Sequence, residues 1–139
     1  MRVISFCADG IERAADLGFY SWLDDQDADI VCLQGIEAQE HLLPNEPYFP
    51  IAYNPYFFDN QEATNGVAIY CRELPKAIMT GLGFTDFDHE ARYIQADFED
   101  ISFGSLLAPF ASSDDQLSID RKHQFFYQLH EHLAKIKHK

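Results

Sequence analysis

The 139-residue chain has no apolar run approaching the roughly 18–20 residues that cross a bilayer as a helix, so no membrane partner is expected. Its opening residues, Met1-Arg2-Val3-Ile4-Ser5, lack the long apolar stretch and small-residue cleavage site of a secretion signal, and a cytoplasmic protein is expected. Cysteine is scarce. Cys7, Cys32 and Cys71 stand far apart, without metal-type spacing, and read as reduced thiols. Internal repeats and low-complexity tracts are absent. Bases are short as well: 10 Lys and Arg against 23 Asp and Glu leave a net charge of −13. Up to Asp120, 22 acids face 5 bases, a balance that repels a polyanion. Residues 121–139 reverse it, with 5 bases and 1 acid. Arg121, Lys122, Lys135, Lys137 and Lys139 are therefore the candidates for contact with nucleic acid or a partner. A solvated basic helix face is the plainer reading of the same residues.

What is present is a globular composition, 47% apolar and 14% aromatic, at a length that suits one domain with a usable core. Ile30 to Leu33 is β-branched-rich and apolar throughout, which predicts a strand buried on both faces. Val3 to Phe6 predicts a first strand. Ile11 to Asp25 carries apolar residues near a 3.6-residue period and predicts a helix broken near Gly18. Leu43 to Pro50 reads as a surface loop. Tyr53–Phe58 and Gly66–Cys71 form a hairpin around the polar connection 59–65. Ala77–Leu82, Arg92–Phe98 and Ile101–Leu107 continue as strands, with a tight reversal at Glu99-Asp100. Gln116 to about His138 is one helix, with Phe126, Leu129, Leu133 and Ile136 expected on its packed stripe. This order predicts an α/β sandwich with a mixed sheet and flanking helices.

Taken together, the segments Asp27-Ala28-Asp29-Ile30-Val31-Cys32-Leu33-Gln34, Gly66-Val67-Ala68-Ile69-Tyr70, Gly81-Leu82-Gly83-Phe84 and Arg92-Tyr93-Ile94-Gln95-Ala96-Asp97-Phe98 resemble the N-terminal half of the exonuclease III family, within the endonuclease/exonuclease/phosphatase superfamily. The resemblance implies a four-layer α/β sandwich of two similar halves. It also implies that residues 1–139 are one partial domain, with the half carrying the Asp-x-Asn and Ser-Asp-His motifs missing. Such a half leaves apolar surface uncovered, so self-association or a partner is expected.

Members of that family cut phosphodiesters with Mg²⁺ or Mn²⁺, a hard cation held by oxygen ligands. By the resemblance, Cys7 stands where the family has an Asn near the metal, Gly35 where it has the metal-binding Glu, and Leu107 where it has a Tyr near the scissile phosphate. A thiol suits Mg²⁺ poorly and glycine offers no side chain. No catalytic residue and no cofactor is therefore expected, with Mg²⁺ or Mn²⁺ entering only if the chain is an active nuclease. Asp9 and Glu37, each two residues past a lost position, are the conceivable substitutes, and solvated loop acids are the plainer reading. His123, His130, His132 and His138 read as surface helix residues, since only His123 and His130 share a face, two turns apart. Phe57, Phe58, Phe125 and Phe126 read as core, although aromatics can also stack on bases.

The chain is further similar to the catabolite repression control (Crc) branch of the family, through Leu106-Leu107 and through Pro75-Lys76-Ala77-Ile78 leading into Gly81-Leu82-Gly83-Phe84. That similarity implies a catalytically inactive regulator of RNA, acting with the chaperone Hfq on A-rich messenger sites. The alternatives are an exonuclease III or apurinic-site endonuclease of DNA repair, and a non-functional fragment of one.

Overall fold

The computed structural model describes residues 1–137; His138 and Lys139 lie outside the described residues. The elements run β1 (Val3–Cys7), α1 (Ile11–Asp16), α2 (Phe19–Asp24), β2 (Ile30–Gln34), β3 (Asn54–Phe58), β4 (Val67–Cys71), β5 (Ala77–Thr80), β6 (Tyr93–Asp97), β7 (Ser102–Leu106) and α3 (Gln116–Lys137), with single 3₁₀ turns at Glu40–Leu42 and Asp88–Glu90. The predicted helix over 11–25 is two short helices. Gly18, at φ +96, supplies the left-handed joint between them. No helix among the described residues is long and apolar enough to cross a membrane.

Two sheets form. The first has the order β1-β2-β4-β3 and is mixed: β1 and β2 run parallel, while β4 is antiparallel to both β2 and β3. The second, β5-β6-β7, is antiparallel throughout. Glu99-Asp100 makes the reversal between β6 and β7, closed by the Phe98 N–H donating to the Ile101 carbonyl at 2.9 Å.

Strand alternation sorts the first sheet's side chains into two cores. Val31 and Leu33 of β2, with Ala68 and Tyr70 of β4, face Ile11, Phe19, Tyr20 and Leu23 of the two short helices. Ile30, Cys32, Val67, Ile69 and Cys71 face the second sheet and meet Ile94 and Ala96 of β6. β2 is thus covered on both sides, as its unbroken apolar run requires. The architecture is half of the expected α/β sandwich.

Tyr48 corrects the reading of 43–50 as plain surface loop. It is buried, and its carbonyl accepts a 2.7 Å hydrogen bond from the Tyr70 hydroxyl. Tyr20 and Tyr70 share a further bond of 2.7 Å. Burial drives the Tyr20 hydroxyl up to about 12 and pushes Tyr70 well above the usual phenol range, so both are fixed neutral polar links inside the core.

α3 packs differently from its sequence pattern. Phe126, Leu133 and Ile136 are 42%, 54% and 50% exposed, whereas Phe125 is buried against Phe84 and Phe87. Phe125 and Phe126 are adjacent, so they project about 100° apart and cannot share one contact. The segment 82–90 and the end of β7 lie on the Phe125 side. Leu129 packs there too, and His132 meets the edge of Phe84 at 5.9 Å.

Candidate functional site at the ends of β1 and β2

The carboxyl ends of β1 and β2 lie side by side, with Cys7 opposite Gln34. Beyond them both chains turn sharply. Asp9, Gly10, Gly35 and Glu37 all have positive φ, as do Asn65, Gly66 and Ala91 from the neighbouring loops. Main-chain hydrogen bonds fasten these turns together. Gly10 N–H donates to Gly35 O at 2.8 Å, Gly35 N–H to Gly66 O at 2.9 Å, and Gly66 N–H to Ala91 O at 3.1 Å.

Gly35 is buried at the centre of this joint. A Cβ there would have ordinary room, 3.5 Å from the Asp9 nitrogen, but the φ of +71° strains any L side chain. Position 35 is therefore built around a main chain that favours glycine.

The surrounding donors do not suit a hard divalent cation. The Cys7 thiol is exposed and soft. Asp9 is engaged by Arg13 at 2.7 Å. Glu37 is exposed and turned toward α1, its Oε2 lying 3.7 Å from where a Cβ on Gly10 would stand. Gln34, the last residue of β2, donates to Ser5 Oγ at 3.2 Å and to the buried Ser105 Oγ at 3.0 Å, which ties the two sheets together. Among the described residues no group of three His, Cys, Asp or Glu side chains is arranged to hold a metal. Residues 7, 9, 35 and 37 share one corner, but as a backbone joint rather than a ligand cage.

Leu107 sits beside this corner, its side chain half-buried between the sheets. Its N–H donates to Arg92 O at 2.8 Å, and its carbonyl accepts from Arg92 Nη1 at 3.2 Å. Arg92 in turn reaches Glu90 through Nε at 2.9 Å, and Arg121 of α3 joins the same carboxylate at 2.8 Å. Burial alone would raise the Glu90 carboxyl. The hydrogen bonds and charges of Arg121 and Arg92 outweigh it and hold the group below the usual range. Arg121 also lies 4.4 Å above the Phe87 ring. It is turned inward to this cluster, while Lys122 is half-exposed and Lys135 and Lys137 are exposed farther along α3.

His123 and His130 are exposed. Cys32 and Cys71 are buried, and desolvation raises both thiols to about 11, which keeps them protonated at neutral pH. Phe57 packs in the helix-side core and Phe58 between the sheets. The Glu90–Arg92–Arg121 cluster was not visible in the sequence, because Arg121 joins it from α3, some 30 residues away, with no periodic relation to the other two.

Comparison with known proteins places this geometry. Residues 10–138 match the Endonuclease/Exonuclease/phosphatase family. The chain is 31% identical over 116 residues to the DNA repair nuclease APEX1 of Danio rerio, a match covering 81% of this chain and 37% of that protein. It is 27% identical to an exodeoxyribonuclease of Bacillus subtilis, over 78% of this chain and 43% of that protein. Among solved structures, an AP endonuclease from Archaeoglobus fulgidus superposes with a TM-score of 0.83 at 25% identity, over 97% of this chain and 52% of that one. The 3′ phosphatase NExo from Neisseria superposes with a TM-score of 0.85 at 20% identity, over 100% of this chain and 53% of that one, a likeness of fold alone. The chain thus spans about half the length of these structures and less than half of the two sequence relatives. On the match across residues 10–138 and the shared two-sheet architecture, the chain belongs to the Endonuclease/Exonuclease/phosphatase family, with AP endonucleases and exonuclease III-like enzymes as its relatives.

Proposed function

We propose that residues 1–139 form the N-terminal half of an apurinic-site endonuclease or exonuclease III type of DNA repair protein, in a version whose metal corner has lost the means to cleave. The relatives' own descriptions supply the substrate class, DNA and its apurinic or apyrimidinic sites. One observation carries the loss of cleavage: position 35 is a buried glycine in a left-handed turn, where the family resemblance expects the metal-binding glutamate. Of the nearby carboxylates, Asp9 is paired with Arg13, and Glu37 is exposed with its Oε2 near the Gly10 turn. The test is incubation of the chain with an abasic-site duplex in Mg²⁺ and in Mn²⁺. Strand scission should not rise above the buffer control, and robust metal-dependent nicking defeats the reading.

A second reading is favoured by Leu106-Leu107 and by the run Pro75–Ile78 into Gly81–Phe84. These segments are similar to the Crc branch, and on that resemblance the chain would be a non-cleaving regulator that works with Hfq on A-rich RNA. The excess of acids before α3 suits docking onto a basic protein better than direct contact with RNA. Gel shifts of an A-rich RNA with Hfq, with and without this chain, separate the readings. A supershift supports the regulator, and its absence leaves the repair lineage.

A further inference from the structure

At the end of the sandwich opposite the Cys7–Gly35 corner, the space between the two sheets opens into a cavity of about 330 Å³. Its floor is the exposed end of the inter-sheet core. Ile30, at the start of β2, lies beside Phe98 and Phe103, which flank the β6–β7 turn. The two phenyl rings pack edge to face at 6.0 Å, and both are half-buried. Ile101 stands at the mouth, 47% exposed.

The rim is acidic. Asp29, Glu73, Glu99 and Asp100 line it, together with Arg72 and Met1. Arg72 is already engaged: it meets Asp27 at 2.8 Å and Asp29 at 3.0 Å. Glu99 has only a long contact with Lys76, 3.7 Å between two exposed side chains. Glu73 and Asp100 add two further carboxylates at the entrance. An apolar, aromatic floor beneath a carboxylate rim matches one ligand chemistry: an organic cation whose hydrocarbon body replaces water over the phenyl rings and whose charge meets the rim.

We propose that this cavity binds small organic cations, alkyl- or arylammonium compounds, at the pole remote from the family's catalytic corner. The phenyl faces of Phe98 and Phe103 attract the cation through their quadrupoles, and the rim excludes anions of the same shape. The cavity has room for one ring with a two-carbon tether. The site is independent of whether the chain cleaves DNA, since none of its residues belongs to the Cys7–Gly35 corner.

The test is titration of the ¹⁵N-labelled full chain with phenethylamine, and with 3-phenylpropionate as its anionic counterpart, followed by amide shifts. Phenethylamine should move amides of residues 29–30, 72–73 and 98–103 together in a saturable way, and the carboxylate should bind at least about tenfold more weakly, a gap of about 1.4 kcal/mol. The exposed-rim variant Glu99→Lys/Asp100→Lys should erase that preference while leaving the spectrum of the β2–β4 core in place. Ile101→Lys, placed at the mouth, should weaken the amine through both charge and blockage. Equal affinity for amine and carboxylate, shifts scattered over the surface, or no saturable shift with phenethylamine overturns the proposal.

Discussion

The two helical covers of this half-sandwich are built by different means. α1 and α2 are only six residues each, yet Ile11, Ala14, Phe19, Tyr20 and Leu23 are all buried against the first sheet. α3 has 22 residues and buries Phe125 alone. The short helices are secured by contact with a continuous apolar sheet face, and the Tyr20–Tyr70–Tyr48 hydrogen bonds add direction to that contact. The long helix packs its buried side against the 82–90 segment, the end of β7 and Ala108, and the shared ion pairs of Glu90 supplement a thin aromatic seam. Helix length is therefore a poor guide to how firmly a helix is attached; buried area per residue decides it.

That contrast can be broken experimentally. Phe125→Ala has the largest expected effect, about 3–5 kcal/mol lost from the docking of α3. Hydrogen exchange should show α3 amides losing protection while β2 and β4 keep theirs. Equal loss in both places shows instead that the two covers unfold as one unit. Tyr70→Phe acts on the other cover and should cost about 1–3 kcal/mol, because the Tyr48 carbonyl and the Tyr20 hydroxyl lose a buried partner. Urea unfolding followed at Trp22, in α2, measures it.

Gly104→Ala sharpens the view of the second sheet. A Cβ at position 104 collides with the Tyr93 ring lying across it, so a cost of about 1–3 kcal/mol is expected from overpacking. Tyr93→Ala in the same chain should relieve the clash, and failure to do so removes that explanation.

Glu90→Gln should act on α3 in a pH-dependent manner. Glu90 titrates below its ordinary value near 4.5 in the folded chain, so its stabilising effect is complete above that value and lost as pH falls through the lower, folded one. Acid titration followed by α3 hydrogen exchange should show this loss in the parent chain and a flatter response in the variant. The smallest effect belongs to Leu133→Ser, within about 0.5 kcal/mol, since its side chain packs against little.

The strands were legible because each carries its own signal. The Ile30–Leu33 run, the Asn65-Gly66 turn and the Glu99-Asp100 reversal are local, and Gly18 marks its own helix break. α3 was misread at its stripe because which side of an amphipathic helix is covered depends on residues some 40 positions earlier, Phe84 and Phe87. The expected departures at 7, 35 and 107 come from the family resemblance and from no local pattern. The conformation that makes position 35 favour glycine, and the engagement of Arg121 by Glu90, arise from tertiary contacts and leave no local trace, whereas the Asp9–Arg13 pair is an i,i+4 contact that spacing alone allows.

The joint beyond β1 and β2 has a consequence for inheritance. Peptide groups from four separate turns clasp one another there, so the course of the chain at that joint does not depend on what its side chains do. A lineage can exchange the chemistry at such a place and still retain the outline by which other molecules recognise it.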